Sequence, residues 1–479
     1  MARRERRGRP RPRRAPRRWG AQASMKILIL GAGQVGRTAA YHLSREPANE
    51  VTVVDTNEDT LRELQDRLDI RAVAGHACYP GVLESAGIAD TDILVALTSS
   101  DEVNVMACEI AYTLYRTPTK IARIRAAEYT SRAPLFAEGA LAVDFWISPE
   151  QLVTEHIARL LSYPGALQVV DFADGRVQLV GVRARRDGLL VGRELRTLRE
   201  HLPDTEARIA AIYRNERLVP ASGDTVVEEH DEIFFVAASD DLRRVMAELR
   251  RSEDPVRRLV IAGGGNIGFR LARTLEKSNQ VKLIERDAGR ARRISETLES
   301  TIVLAGDAAD EELLVEENID SADVFAALTN SEESNVLSAM LAKRLGARRV
   351  MALINRPSYG ELMENHSIDI VISPQTITIG ALLAHVRRGD VVRVHSLRRG
   401  AAEAIEAVVH DSAGRSPLVG RRLEQIVLPQ GASIVAVVRT ENVIMAHHDT
   451  VIEPEDHLIM FLSDRRHIDA VQRLFQTEA

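Results

Sequence analysis

The sequence contains little cysteine and no long apolar run. Cys78 and Cys108 are its only cysteines, and no CxxC pair or Cys/His spacing typical of a zinc ligand set occurs. This argues against a disulfide framework or a zinc site and favours a reducing cytoplasm. The adjacent pair His447-His448 lies in a β-rich segment without helical spacing, so we expect no metal there. No apolar stretch approaches the ~18 to 20 residues that span a bilayer, so we expect no transmembrane helix.

The first 24 residues differ from the rest in charge. They hold ten arginines, one glutamate and three prolines, without the apolar core of a secretory signal. We expect a disordered Arg-rich extension at 1–24 that could bind nucleic acid or anionic lipid; our preferred interpretation is that translation starts at Met25. The remainder carries 53 basic and 68 acidic residues, and this net charge of −15 does not support nucleic-acid binding.

The most informative feature is a duplicated glycine motif, MKILILGAGQVG at Met25–Gly36 and RLVIAGGGNIG at Arg258–Gly268. In each copy an apolar strand enters GxGxxG and an amphipathic stretch follows, as in a dinucleotide-binding βα turn. The first glycine permits the tight turn, the second lets a pyrophosphate approach the backbone, and the third lets helix and strand pack closely. These glycines are Gly31, Gly33 and Gly36 in the first copy and Gly263, Gly265 and Gly268 in the second.

A carboxylate ends the next strand in both copies. Asp55 and Glu285 follow the first glycine by 24 and 22 residues, a spacing that suits a ribose diol. Such a carboxylate would repel a 2′-phosphate, which favours NAD(H) or an adenosine nucleotide over NADP(H), although Arg286 weakens this argument in the second copy. The alternative role is a helix-capping acid.

The repetition continues beyond the glycines at an offset of 231, with ILVALTSSDEVNVMA matching VFAALTNSEESNVLSA. Hydroxyl side chains follow this strand in both copies: Thr98, Ser99 and Ser100 in the first, and Thr329 and Ser331 in the second. They would lie at the carboxyl edge of the sheet, where ligands bind, and would also cap the following helix. One strand further, IARIRAAEY aligns with MALINRPSY, so Arg123 stands opposite Leu353. The first site therefore has the stronger potential to bind an anion, unless Arg123 is a solvated surface residue.

The chain thus predicts two copies of one pair of lobes. The fold class is α/β: two Rossmann-like parallel-sheet lobes, each followed by a small α+β lobe. Two linker helices are predicted where a Ser-Pro pair precedes an apolar pattern of helical spacing. After each of them, alternating apolar residues predict short hairpins. The expected segments are 25–148 (first N-lobe), 149–163 (linker helix), 164–250 (first C-lobe), 256–373 (second N-lobe), 374–390 (linker helix) and 391–477 (second C-lobe).

This arrangement, with GAGQVG, VVDTN, ALTSSDE, IARIR and ISPEQLV in the first half and GGGNIG, LIER and ISPQ in the second, closely resembles the TrkA family of bacterial Trk potassium uptake systems. The resemblance covers Met25 to the C-terminus. It implies tandem RCK modules that bind NAD(H) and, in some members, ATP or ADP. It further implies a homotetrameric ring on the cytoplasmic face of the plasma membrane that regulates a TrkH-type potassium channel subunit.

The same resemblance assigns roles to individual residues. In the first site the phosphates would contact Gly31, Ala32, Gly33, Gln34 and Val35. Asp55 would bind the ribose, and Thr98, Ser99 and Arg123 would surround the ligand. In the second site the corresponding residues would be Gly263, Gly264, Gly265, Asn266, Ile267 and Glu285, with phosphate contact in doubt where Leu353 replaces the arginine.

Two other functions are compatible with the glycine motifs. NAD-dependent oxidoreductases have the same motif near the start of the chain. In this sequence, however, no His or Lys stands beside an acid in a region that also resembles a substrate lobe, so we assign no catalytic residues. A stand-alone nucleotide sensor would need no membrane partner.

Overall fold

The computed structural model describes residues 24–46, 49–137, 139–251, 253–355, 368–386, 391–398, 401–411, 416–464 and 467–475. The Arg-rich extension up to residue 23 lies outside them. Within these ranges, no helix combines the length and the apolar character that crossing a bilayer requires. The chain divides into two compact units: one runs to Arg123 and includes Glu128–Trp146, and the other holds Ile124–Ala127 and the chain from Ile147 onward.

The first lobe is a six-stranded sheet in the order β3-β2-β1-β4-β5-β6. Its strands are β1 (Met25–Leu30), β2 (Asn49–Asp55), β3 (Arg71–Ala74), β4 (Ile93–Ala96), β5 (Thr119–Arg123) and β6 (Phe145–Ile147). Its helices are α1 (Gln34–Leu43), α2 (Glu58–Gln65), α3 (Pro80–Ser85), α4 (Asp101–Ile110) and α5 (Ala127–Thr130). The central strand β1 pairs in parallel with β2 and β4, so the strand order reverses on either side of it. Ligands of doubly wound folds bind at such a reversal.

A small antiparallel lobe follows the linker helix α6 (Pro149–Ser162). Its five strands lie in the order β10-β9-β11-β8-β7. They are β7 (Ala166–Phe172), β8 (Val177–Arg183), β9 (Ala207–Arg214), β10 (Arg217–Val219) and β11 (Glu232–Ala238), with helices α7 (Thr197–His201) and α8 (Leu242–Leu249). The predicted β-rich module is therefore present.

The second parallel lobe repeats the first in the order β14-β13-β12-β15-β16-β17. Its strands are β12 (Arg258–Ala262), β13 (Gln280–Glu285), β14 (Ile302–Ala305), β15 (Val324–Ala327), β16 (Arg349–Leu353) and β17 (Ile370–Ile372). Its helices are α9 (Asn266–Leu275), α10 (Ala288–Ser295), α11 (Glu311–Glu316) and α12 (Glu332–Arg344). The end of the MALINRPSY segment, from residue 356, lies outside the described residues.

The second antiparallel lobe has the order β18-β19-β22-β20-β21. It contains α13 (Pro374–Val386), β18 (Val391–Leu397), β19 (Ala402–Val408), β20 (Ala432–Arg439), β21 (Asn442–Met445), β22 (His457–Leu462) and α14 (Ile468–Leu474). The last four residues of the predicted linker helix 374–390 are not described. The fold class predicted from the sequence is confirmed.

The two antiparallel sheets share one hydrophobic core. Phe172 and Phe234 of the first sheet pack in the same buried cluster as Phe461 of the second, and the rings of Phe234 and Phe461 have centroids 6.0 Å apart. All three rings are almost fully buried, and aromatic side chains of this size contribute strongly to the stability of a core. The two small lobes are therefore not independent domains: each supplies part of the other's core.

Candidate functional site

The first glycine of each motif adopts a backbone conformation that other residues rarely reach. Gly31 and Gly263 have φ of +101° and +105°. A Cβ on Gly31 would lie 2.9 Å from the carbonyl oxygen of Leu97, so the turn also requires the absence of a side chain. The glycine loop thereby packs directly against the residues that follow β4.

The third glycine allows the helix to contact the loop. A Cβ on Gly36 would lie 1.9 Å from the carbonyl oxygen of Gly31, and one on Gly268 would lie 2.0 Å from that of Gly263. Both distances are far shorter than any real carbon–oxygen contact. Helices α1 and α9 can therefore begin close to the sheet only with glycine at these positions.

The second glycine is different, because it faces open space. Gly33 and Gly265 have extended backbones with φ of −67° and −72°, and a Cβ on either would meet nothing within 4 Å. Gly33 is exposed at the start of α1, where the first amides, including those of Gln34 and Val35, have no acceptor within the helix. Nothing in the protein itself requires glycine here, whereas an anion approaching the helix N-terminus would.

The two strand-end carboxylates hold the glycine loops. Asp55 accepts hydrogen bonds from the amide of Ala32 at 2.5 Å and from that of Asn57 at 2.8 Å. Glu285 accepts from Gly264 at 2.9 Å and from Asp287 at 2.8 Å. The amides of Ala32 and Gly264, which we expected at the phosphates, thus already have acceptors. Each carboxylate keeps lone pairs for a ligand hydroxyl.

A buried asparagine connects the neighbouring strand ends. Asn104 is fully buried; its Oδ1 accepts from the amide and the hydroxyl of Thr98 at 2.9 and 2.7 Å, and its Nδ2 donates to the carbonyl of Arg123 at 2.9 Å. Asn335 makes the same bonds with the amide and hydroxyl of Thr329 and the carbonyl of Leu353.

Neither asparagine was predicted as a site residue from the sequence. The signal was available, since each stands six residues after the threonine of its repeat.

The remaining residues predicted around the first site lie at the same edge of the sheet. Ser99 is exposed beside Thr98, and Arg123 is half-buried at the end of β5. Ser100 caps α4 by accepting from the amide of Val103 at 3.2 Å, and Ser331 caps α12. The two repeats thus contain the capping that we predicted.

The second lobe encloses a cleft of about 310 Å³ above its glycine loop. Gly263, Gly265 and Glu285 line it, together with Thr329 and Ser331 from the β15 side. Asn266 and Ile267 begin α9 directly after Gly265, but they are not among the residues that line the cleft. The volume is at the lower end of the ~300 to 1,000 Å³ range of small-molecule sites.

Among the residues that the structure describes, no group of three His, Cys, Asp or Glu side chains is arranged to hold a metal ion.

Comparison with known proteins shows matches to two family models, each twice. The TrkA-N domain matches residues 27–149 and 259–374, and the TrkA-C domain matches 179–250 and 415–476. The chain is 57% identical over 452 residues to the Trk system potassium uptake protein TrkA of Halomonas elongata, covering 94% of this chain and 99% of that protein. It is 48% identical over 456 residues to the protein of that name from Haemophilus influenzae, covering 95% and 99%.

Solved structures resemble the fold at lower identity. A crystal structure of the GsuK RCK domain has a TM-score of 0.59 and 18% identity, covering 95% of this chain and 96% of that chain. A structure described as the GsuK channel bound to NAD has the same TM-score and identity, covering 95% and 80%. At this identity the likeness concerns the fold alone.

Proposed function

The chain belongs to the TrkA family of Trk potassium uptake proteins, and from this premise we propose that it is a cytosolic, nucleotide-binding subunit that regulates potassium transport by a membrane partner. The observation that carries the proposal is the open space at Gly33 and Gly265. Two helix N-termini, each with a glycine that the protein's own packing does not need, stand beside a strand-end carboxylate at the reversal of a parallel sheet.

The residues present fit a dinucleotide or an adenosine nucleotide. Phosphate groups would lie at the second glycine and the first amides of α1 or α9, where the helix dipole favours negative charge. Ribose hydroxyls would donate to Asp55 or Glu285, which retain acceptor capacity. Thr98, Ser99 and Arg123 would lie around the ligand in the first site. We propose NAD(H) as the ligand, with ATP or ADP as the competing nucleotide.

Regulation requires a ligand with different affinities for two states of the protein. The chain passes between the two compact units after Arg123, after Ala127 and after Trp146. Just beyond the last of these crossings, Ser148 caps the linker helix that begins at Pro149. We place the hinge at Ser148-Pro149. Nucleotide in the first site would bias the hinge, and a homotetrameric assembly would transmit the change to a TrkH-type channel subunit at the inner face of the membrane.

Calorimetric titration of the full chain with NADH, and then with ATP, tests nucleotide binding. The Asp55→Ala variant removes the carboxylate, whereas Asp59→Ala removes an exposed carboxylate on α2 whose partner is Arg62 and serves as the matched control. We expect saturable NADH binding that is at least tenfold weaker in Asp55→Ala and unchanged in Asp59→Ala, since a charge-assisted hydrogen bond contributes about 1.5 to 3 kcal/mol. Absence of binding of both nucleotides would refute the proposal.

A second experiment tests the membrane partner. The chain is expressed in cells that lack their own Trk regulatory protein, and potassium uptake and co-purification with a membrane protein are measured together. We expect uptake to be restored by the wild-type chain and reduced in Asp55→Ala. Nucleotide binding without either effect would instead support the stand-alone sensor, and consumption of NADH with a metabolite would support the oxidoreductase.

A further inference from the structure

The helix that follows the ribose carboxylate has opposite charge in the two nucleotide lobes. Helix α2 carries Glu58, Asp59 and Glu63 against a single Arg62, whereas α10 carries Arg290, Arg292 and Arg293 and no acid. The net charge changes from −2 in α2 to +3 in α10. Since both helices begin immediately after the strand-end carboxylate, the reversal acts at the ribose end of each site.

Two arginines of the second lobe reach the cleft itself. Arg286 and Arg290 both line the cavity over the second glycine loop. At the same offset of 230 that relates Asp55 to Glu285, the first lobe has Thr56 and Thr60. Arg290 lies 3.8 Å from Glu285 with half its side chain exposed. Among the described residues, no carboxylate is within ion-pair distance of Arg286.

The first lobe also has an arginine near the ribose carboxylate, but its guanidinium already binds other groups of the protein. The guanidinium of Arg37 donates to the carbonyl of Ala32, to the hydroxyl of Thr60 and to the carboxylate of Glu63. The residue corresponding to Glu63 in the second lobe is Arg293. An additional anionic group on the ribose would therefore face an acidic helix in the first lobe and a basic one in the second.

The carboxylate of Glu285 repels an anionic group on the ribose less strongly than its full negative charge suggests. Its side chain is only 9% exposed, and both of its oxygens accept backbone amides, from Gly264 and Asp287. Hydrogen bonds from two amides stabilise the negative charge where it is. Arg286 and Arg290 are exposed at the cleft, so their two positive charges face Glu285 and one further lining carboxylate, Asp307.

We propose that the second nucleotide site binds a dinucleotide that carries a phosphate on the adenosine ribose, as NADPH does, while the first site binds the dinucleotide without it. A guanidinium forms paired hydrogen bonds with phosphate oxygens, and arginine beside the strand-end acid accommodates a 2′-phosphate in dinucleotide folds. This inference rests on the proposed function and assigns a different ligand to each of its two sites. It also revises, for the second lobe, the preference for NAD(H) drawn from the carboxylate alone.

NADH and NADPH test the inference directly, because they differ only in the 2′-phosphate. Each is titrated calorimetrically into the full chain, and both are repeated on a variant that combines Arg286→Thr with Arg290→Thr, the residues of the first lobe. Arg292→Thr is the control, because Arg292 pairs with Glu296 on the exposed side of α10 and does not line the cleft. We expect one NADPH site per chain, at least tenfold weaker in the double variant and unchanged in Arg292→Thr.

The reciprocal exchange checks that the effect belongs to these positions. Thr56→Arg combined with Thr60→Arg should give the first site measurable affinity for NADPH. Binding of NADH without any binding of NADPH, or NADPH binding that is equal in the double variant, would overturn the inference and leave the proposed function standing. Failure of both nucleotides to bind would overturn the proposed function as well, and melting curves of the variants would identify a folding defect.

Discussion

Replacing the second or the third glycine of a motif with alanine should separate ligand binding from packing. In Gly36→Ala the new Cβ would start 1.9 Å from the carbonyl oxygen of Gly31, and such contacts are essentially never shorter than 3.0 Å. The start of α1 must therefore move away from the loop by at least about 1 Å, the difference between these distances. Overpacking of this kind costs about 1 to 3 kcal/mol.

Gly33→Ala should have the opposite profile. Its backbone at φ −67° and ψ −173° is accessible to alanine, and the added Cβ meets no protein atom within 4 Å. We expect its stability to stay within about 1 kcal/mol of wild type, because the loss at a helix N-cap and the gain from a stiffer unfolded chain are both small. The methyl group would, however, occupy the space that the phosphates need, so NADH affinity should fall at least tenfold.

Hydrogen exchange measured by mass spectrometry is the appropriate assay, because a multidomain chain does not unfold in one step. Peptides from β1 and α1 should exchange roughly tenfold to a hundredfold faster in Gly36→Ala. The same peptides should be unchanged in Gly33→Ala, and β12 in the untouched second lobe is the internal reference. Normal exchange in Gly36→Ala, or normal NADH affinity in Gly33→Ala, would refute the corresponding part of the reasoning.

Three further outcomes follow from the structure. Asn335→Ala should destabilise the second parallel lobe by about 3 kcal/mol, measured by exchange of peptides from β15 and β16, because buried groups of Thr329 and Leu353 lose their partner; a loss below about 1 kcal/mol would show that water replaces the amide. Burial lowers the pKa of His395 from 6.5 to about 4, so the locally opened state takes up a proton first. The free energy of opening of β18, measured by hydrogen exchange of its peptides, should therefore fall as the pH drops from 6.5 towards 4. His395→Gln should reduce this fall by about 1 kcal/mol, discounted because the ring is half-buried, and identical pH profiles would contradict it. Burial also raises the pKa of Cys108 to about 12, so iodoacetamide at pH 8 should alkylate the half-buried Cys78 in the native chain and Cys108 only after unfolding; native modification of Cys108, detected by peptide mass, would be contrary evidence.

Features that depend on neighbours in the chain could be predicted from the sequence. The duplicated GxGxxG turns, the strand-end acids Asp55 and Glu285 and the caps at Ser100 and Ser331 are local, because backbone conformation and the first turn of a helix involve residues only a few positions apart. The alternation of apolar residues likewise predicted the small β-rich lobes. These patterns were sufficient for the fold class and for the order of the four lobes.

Contacts between distant segments required the tertiary structure. The sequence placed Thr98 and Arg123 near one sheet edge, but it did not show that Asn104 joins them. It placed Asp55 and Glu285 at the ribose, but it did not show that their oxygens already hold the amides of the glycine loops. Each of these bonds depends on which strand lies beside which, and that is decided by packing over the whole sheet.

The sequence by itself determined that this protein has two nucleotide-type lobes with the same order of strands and helices. Glycine positions fix local turns and apolar periodicity fixes local secondary structure, and neither depends on which distant segments pack together. The tertiary structure alone decided what distinguishes those lobes as sites. It showed that the second glycines face open space, that the small lobes share a core around Phe234 and Phe461, and that Arg286 and Arg290 line the second cleft. Free space, shared burial and the charge that a ligand meets are properties of surfaces assembled from distant residues, so no single segment of the chain contains them.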